Sequence, residues 1–135
     1  HKEYRRQRQM CIRDRWLAEH AKIATVFHPA LPTCPGHAQW QRDFKGSASV
    51  FSFLFSDDVA PQEVVGFLNA LEIFKIGLSW GGVTSLAVVY PNLDRPGQDF
   101  GGRLVRLNIG LESSDDLIAD LQQAIAGQSD KISPR

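Results

Sequence analysis

Ser49–Phe55 reads Ser-Val-Phe-Ser-Phe-Leu-Phe, an alternation that puts Phe51, Phe53 and Phe55 on one face and Val50, Ser52 and Leu54 on the other. A period of two with three rings on one side marks a β-strand turned toward a core. Upstream, Ala24–His28 is β-branched and aromatic and stops at Pro29, which predicts a second strand leading into a loop. Pro29, Pro32, Pro35 and Gly36 make His28–Gly36 irregular and stiff, and Ala38–Phe44 is expected to form one or two helical turns before Gly46. Downstream, Asp57 and Asp58 precede Pro61, and Val64, Leu68 and Leu71 recur at helical spacing, so Pro61–Leu71 is predicted as an amphipathic helix. Ile73–Ile76 is a short apolar piece. Ser85–Tyr90 and Leu104–Leu111 read as strands joined by a polar loop carrying Pro and Gly. Ser113 with Asp116 resembles a capping box, and Leu117, Ile118, Leu121 and Ile125 supply the stripe of a final helix. From Gly127 a polar, frayed tail is expected. Strands outnumber crossover helices, so the expected fold class is α/β in the layered α+β sense, a mainly antiparallel sheet covered on one face by helices.

The chain has 135 residues, 15 Lys+Arg against 15 Asp+Glu, and 43% hydrophobic residues, which suits one domain with a real core. No window reaches the roughly 18 consecutive apolar residues of a membrane span, and the charged N-terminus holds no signal-peptide core. Two cysteines, Cys11 and Cys34, imply a reducing, cytoplasmic setting. With a pI near 7.1, neither nucleic acid nor membrane is expected as a partner. The zero net charge is a sum of unlike parts. Residues 1–15 carry Lys2, Arg5, Arg6, Arg8, Arg13 and Arg15 against Glu3 and Asp14, about +4, and the rest is acidic by about four charges. Such an arm could be a nucleic-acid tail, a targeting peptide or a solvated end. Met10–Arg15 looks instead like a translated transposon-end adapter, so residues 1–15 are expected to be non-native and the domain to begin at Trp16. Trp16–Lys22 then reads as the end of a helix whose beginning is missing.

Arg106 lies in an apolar strand between Val105 and Leu107 and shares its face with Leu104 and Asn108. A guanidinium is costly to bury unpaired and its planar fork matches a carboxylate or phosphate; the plainer alternative is a strand face open to solvent. Ser79-Trp80-Gly81-Gly82 combines small residues with an indole, which permits close backbone approach to a ligand or simply a tight turn. His28, Cys34 and His37 are ligand-type side chains in one loop, but their spacing matches no standard zinc site and no fourth ligand is evident, so no metal is expected. No P-loop, dinucleotide fingerprint, zincin motif or nucleophile elbow occurs.

Read as strings, HPALPTCPGHAQWQRDFKGSASVFSF from His28, LSWGGVTSLAV from Leu78 and GGRLVRLNIGLESSDDLIADL from Gly101 resemble the C-terminal domain of the pyridoxal-phosphate-dependent Cys/Met metabolism (trans-sulfuration) enzymes. The resemblance covers residues 16–126, leaving 127–135 as a polar tail. It implies the small C-terminal domain of a fold-type I, aspartate aminotransferase-like enzyme. Gamma-acting members typically show Ser-Leu-Gly-Gly where this chain has Ser79-Trp80-Gly81-Gly82, so Trp80 points to the beta-lyase branch. That branch implies α,β-elimination of cystathionine to homocysteine, pyruvate and ammonia in methionine biosynthesis. By the same resemblance Arg106 grips the substrate α-carboxylate, Ser79 lies near the cofactor lysine, and Trp80 closes the carboxylate pocket. Leu78 departs from the aromatic residue often found before the serine. Pyridoxal 5'-phosphate is the implied cofactor, bound mainly by a larger upstream domain that supplies the Schiff-base lysine; none of Lys22, Lys45, Lys75 and Lys131 occupies that motif. The chain alone is therefore expected to be inactive, and the whole enzyme to be a homo-oligomer, a tetramer built from dimers that share active sites. Two further readings are a gamma-acting synthase or sulfhydrylase of the same family, and a non-catalytic amino-acid-binding module anchored on Arg106.

Overall fold

In a computed structural model of the chain, the described residues are 10–32, 34–44, 49–79, 82–90 and 100–132, without the side chains of 13–15 and 129–132. The phenylalanine alternation forms strand β2 (Val50–Phe55), whose inward residues Phe51, Phe53 and Phe55 are all buried. Around it are β1 (Ile23–Phe27), β3 (Lys75–Ile76), β4 (Leu86–Tyr90) and β5 (Leu104–Asn108). The sheet order is β1-β2-β5-β4-β3, antiparallel except for the β3–β4 pair. The expected sheet is thus present, with one parallel edge.

Strand β5, the last in the chain, lies in the middle. Arg106 stands in register with Ser52 on one side and Val88 on the other, while Val105 and Leu107 pair with residues of the buried face. One face therefore gathers Val26, Phe51, Phe53, Phe55, Ala87, Val105 and Leu107 into the core. Residues one step away point oppositely, as the pleat requires.

Three helical elements pack on the core face. Helix α1 (His37–Asp43) buries nothing and is not one of them. Helix α2 (Pro61–Ala70) buries Val64, Phe67 and Leu68, and Phe67 meets the rings of Phe53 and Phe55 edge-on at 6.3 and 5.3 Å. Each such ring removes apolar surface worth about 1.5–3 kcal/mol. Proline starts α2 at a position where its missing N–H is harmless, and the Glu63 carboxylate accepts the Ala60 N–H at 3.1 Å. Asp57 and Asp58, ahead of the helix N-terminus, pair with Arg103 and Lys22 respectively, both at 3.3 Å or less. Helix α3 (Ser114–Ile132) buries Leu117, Leu121, Ala124 and Ile125.

Two boundaries differ from expectation. The expected frayed tail from Gly127 is replaced by helix through Ile132, because Gln128, only 7% exposed, packs where α3 crosses Gly66 of α2. At the other end, a π-helical segment, Cys11–Leu17, runs across the expected domain start at Trp16, and Ile12 and Leu17 are fully buried in the core. Among the described residues no helix is long and apolar enough to cross a membrane.

Candidate functional site

The face of the sheet opposite α2 and α3 carries Ser52 from β2, Leu104, Arg106 and Asn108 from β5, and Leu86, Val88 and Tyr90 from β4. Arg106 is central on it. The residue as a whole is half-buried; its guanidinium donates through Nη2 to the Leu78 carbonyl in an exposed bond, and its Cζ lies 5.8 Å from the centroid of the Tyr90 ring. Ladder partners on both sides of β5 fix the Cα, and the Leu78 carbonyl and the Tyr90 ring orient the head. Apolar neighbours lower the local dielectric, which strengthens any charge pair formed there.

Of the residues singled out in the sequence, the structure brings Arg106 and the start of the Ser79 motif together. Leu78 is 65% exposed and Ser79, the next residue, is also exposed. Trp80 and Gly81 lie outside the described residues.

The chain returns to the sheet under close control. Asn108 donates from Nδ2 to the Thr84 carbonyl at 3.3 Å and accepts the Ser49 hydroxyl at 3.0 Å. The Glu112 carboxylate accepts the Ser85 N–H at 3.0 and 3.2 Å and its hydroxyl at 2.9 Å, and Ser85 Oγ accepts the Gly110 N–H at 2.9 Å. On the approach to β3, the buried Asp120 carboxylate accepts the N–H groups of Glu72, Ile73 and Phe74 at 2.8, 2.8 and 3.0 Å. None of these roles was assigned from sequence. For Asp120 a signal existed: an acid one position before Leu121 in the apolar stripe of α3.

The histidines and cysteine of the loop after β1 do not converge. His28 is fully buried, accepts the Ala30 N–H at 3.1 Å and meets Phe51 edge-on. His37 bonds the Pro29 carbonyl at 2.7 Å and stacks on Trp40, while burial pushes the Cys34 thiol pKa up. Among the described residues no group of three or more His, Cys, Asp or Glu side chains is placed to hold a metal.

A sheet with helices on one face and a fixed arginine on the other defines the class: an α+β domain like those of fold-type I, PLP-dependent trans-sulfuration enzymes. It superposes on the crystal structure of cystathionine gamma synthase from Xanthomonas oryzae in complex with aminoacrylate and cysteine, with a TM-score of 0.81 and 28% identity, covering 96% of this chain and 35% of that one. The chain belongs to the Cys/Met metabolism family of PLP-dependent enzymes, whose model it matches over residues 4–126. That match begins ahead of the domain start expected at Trp16. It is 46% identical over 117 residues to cystathionine beta-lyase of Salmonella typhimurium, covering 82% of this chain and 30% of the relative. It is also 39% identical over 119 residues to an L-alanine/L-glutamate racemase of Wolbachia pipientis, covering 83% of this chain and 29% of that protein. The chain thus spans about 30% of the length of the curated relatives it matches.

Pyridoxal phosphate is the cofactor of this family. The described lysine amines are turned to other partners, Lys22 to Asp58 at 3.2 Å and Lys75 to the Glu72 carbonyl at 3.3 Å. Among the described residues, Arg106 places on this face a guanidinium, a planar donor of the kind that matches a carboxylate.

Proposed function

We propose that this chain supplies the carboxylate-binding side of a PLP-dependent carbon–sulfur beta-lyase acting on cystathionine in the cytoplasm, within methionine biosynthesis. The observation that carries the reading is Arg106, a guanidinium held mid-strand in the central strand on the face away from the helices. In this reading Arg106 receives the substrate α-carboxylate bidentately, which fixes the amino acid in one orientation. Ser79 borders the cofactor lysine and Trp80 closes the carboxylate pocket. The cofactor, held mainly by the larger part of the enzyme, supplies the electron sink for α-proton loss. The chain alone is inactive, and the active enzyme is a homotetramer.

The 46% identity to a beta-lyase supports this activity over the gamma-acting alternative, which the gamma-synthase superposition favours. The test uses the full-length enzyme that contains this domain. Wild type should release pyruvate and homocysteine from cystathionine; release of cysteine with 2-oxobutyrate would indicate gamma-chemistry, and interconversion of L- and D-alanine without pyruvate would indicate racemisation. Arg106→Ala should raise KM for cystathionine about 100-fold, the loss of a charge-assisted pair. An unchanged KM would remove Arg106 from the site. Saturable binding of cystathionine by the 135-residue chain alone would favour a non-catalytic module instead.

A further inference from the structure

Arg106 and Tyr90 meet diagonally across two neighbouring strands. Val88 is the ladder partner of Arg106 and Leu104 that of Tyr90, so Tyr90 stands on the same face as Arg106, two residues along β4 from its direct partner. Diagonal neighbours of this kind lie about 7–8 Å apart, within reach of a long side chain and a ring. Here they touch: the guanidinium carbon lies over the Tyr90 ring, 5.8 Å from its centroid. The β4–β5 ladder fixes both Cα atoms, and Tyr90 is half-buried, so its ring keeps part of the water away from the charge. Attraction between a cation and a ring runs through the face of the ring, whereas a carboxylate is received by the N–H edge of the guanidinium. Ring and carboxylate thus engage different parts of the same group, and the one contact does not compete with the other.

We propose that Tyr90 is a positioning residue, whose ring holds the Arg106 guanidinium in the arrangement that receives the substrate carboxylate. This rests on the reading of Arg106 as carboxylate anchor. An arginine that is not held loses much rotamer freedom when it takes up a ligand; one that already rests on a ring has less to lose. Tyr90 acts through Arg106 and not through a contact of its own with substrate, so the ring matters and the phenol hydroxyl does not. The effect falls on binding, hence on KM, and leaves the chemical step alone.

In the full-length enzyme that contains this domain, Tyr90→Leu should raise KM for cystathionine about threefold with kcat changed less than about twofold, the loss expected for a cation–ring contact at a partly exposed site. Tyr90→Gln, which keeps length without the ring, should do the same, and Tyr90→Phe, which keeps the ring, should match wild type. In an Arg106→Ala background Tyr90→Leu should change KM no further, because both substitutions remove one interaction. A ring with a merely structural role would shift KM in both backgrounds. In the 135-residue chain, without substrate or cofactor, the NMR signal of the Arg106 Nε–H should move in Tyr90→Leu and Tyr90→Gln and stay in place in Tyr90→Phe. A wild-type KM in both ring-less variants, a raised KM in Tyr90→Phe, an equal effect of Tyr90→Leu with and without Arg106, or an Arg106 signal indifferent to loss of the ring overturns the proposal. The two readings fail differently. If Arg106→Ala raises KM and the ring-less variants do not, the carboxylate anchor stands and the role of Tyr90 alone falls. If Arg106→Ala leaves KM unchanged, the anchor itself falls and the role of Tyr90 with it, even where the NMR signal shows the ring holding the guanidinium.

Discussion

Replacing Asp120 by alanine should cost the domain about 4 kcal/mol, because one buried carboxylate ends three consecutive backbone groups. Asp120 is 3% exposed. Its Oδ1 accepts the Glu72 N–H, its Oδ2 accepts those of Ile73 and Phe74, and Gln123 braces Oδ1 from the next turn at 3.0 Å. The Phe74 bond is buried, so that N–H is left without water and forfeits about 2 kcal/mol. The bonds to Glu72 and Ile73 are part-buried; those groups regain water and lose about 1 kcal/mol each. Asp120→Asn preserves shape but presents an amide N–H₂ to at least one backbone N–H, so about 2–3 kcal/mol should still be lost. Urea unfolding followed by tryptophan fluorescence, with the m-value held common, measures both. Against a typical total of about 5–15 kcal/mol, Asp120→Ala should remove between about a quarter and four-fifths of the domain's stability. A shift below about 1 kcal/mol for Asp120→Ala would show that the Glu72–Phe74 turn stands without its carboxylate.

Two glycines should respond to alanine by different amounts. In Gly110→Ala the new Cβ would lie 2.2 Å from the Val83 backbone oxygen, which cannot swing away, so a loss of about 2 kcal/mol or more is expected in the same assay. In Gly66→Ala the obstacle is the flexible end of Gln128 at the same distance, and the gain in helix propensity should keep the net change within about 1 kcal/mol. Stability should also fall on mild acidification through His20. Burial first, and then the Lys22 charge, lower its pKa from 6.5, and its Nδ1 accepts the Lys22 N–H at 3.0 Å, a bond open only to the neutral ring. Because the folded value lies below the unfolded one, the contribution is full above about pH 6.5 and is lost as pH falls through the folded value. His20→Gln should flatten that part of the pH profile, and an NMR midpoint for His20 at or above 6.5 would contradict the assignment.

Local periodicity made the elements legible. The rings of Phe51, Phe53 and Phe55, the β-branched run of β1 and the stripe of α3 each announce themselves within a few residues. Arg106 was legible for the opposite reason, as a charge where the pattern has no place for one. Insertion of β5 between β2 and β4 left no local trace, since it depends on contacts between residues some fifty positions apart in sequence, such as Phe53 with Val105. The polar bonds of the site were hidden for the same reason: Asn108 was visible as a neighbour of Arg106, but Ser49 and Thr84 as its partners were not. The continuation of α3 past Gly127 was hidden behind a residue of low helix propensity.

The placement of β5 sets an order for how the site comes apart. A strand with neighbours on both sides releases its hydrogen bonds only when the whole domain opens, whereas an edge strand of two residues frays at little cost. Arg106 stands on the first and Leu78 follows the second. On warming, the wall of the pocket would thus outlast its rim: affinity would decline first, over a range in which the domain is still folded, and the arginine would lose its place only at the melting transition itself.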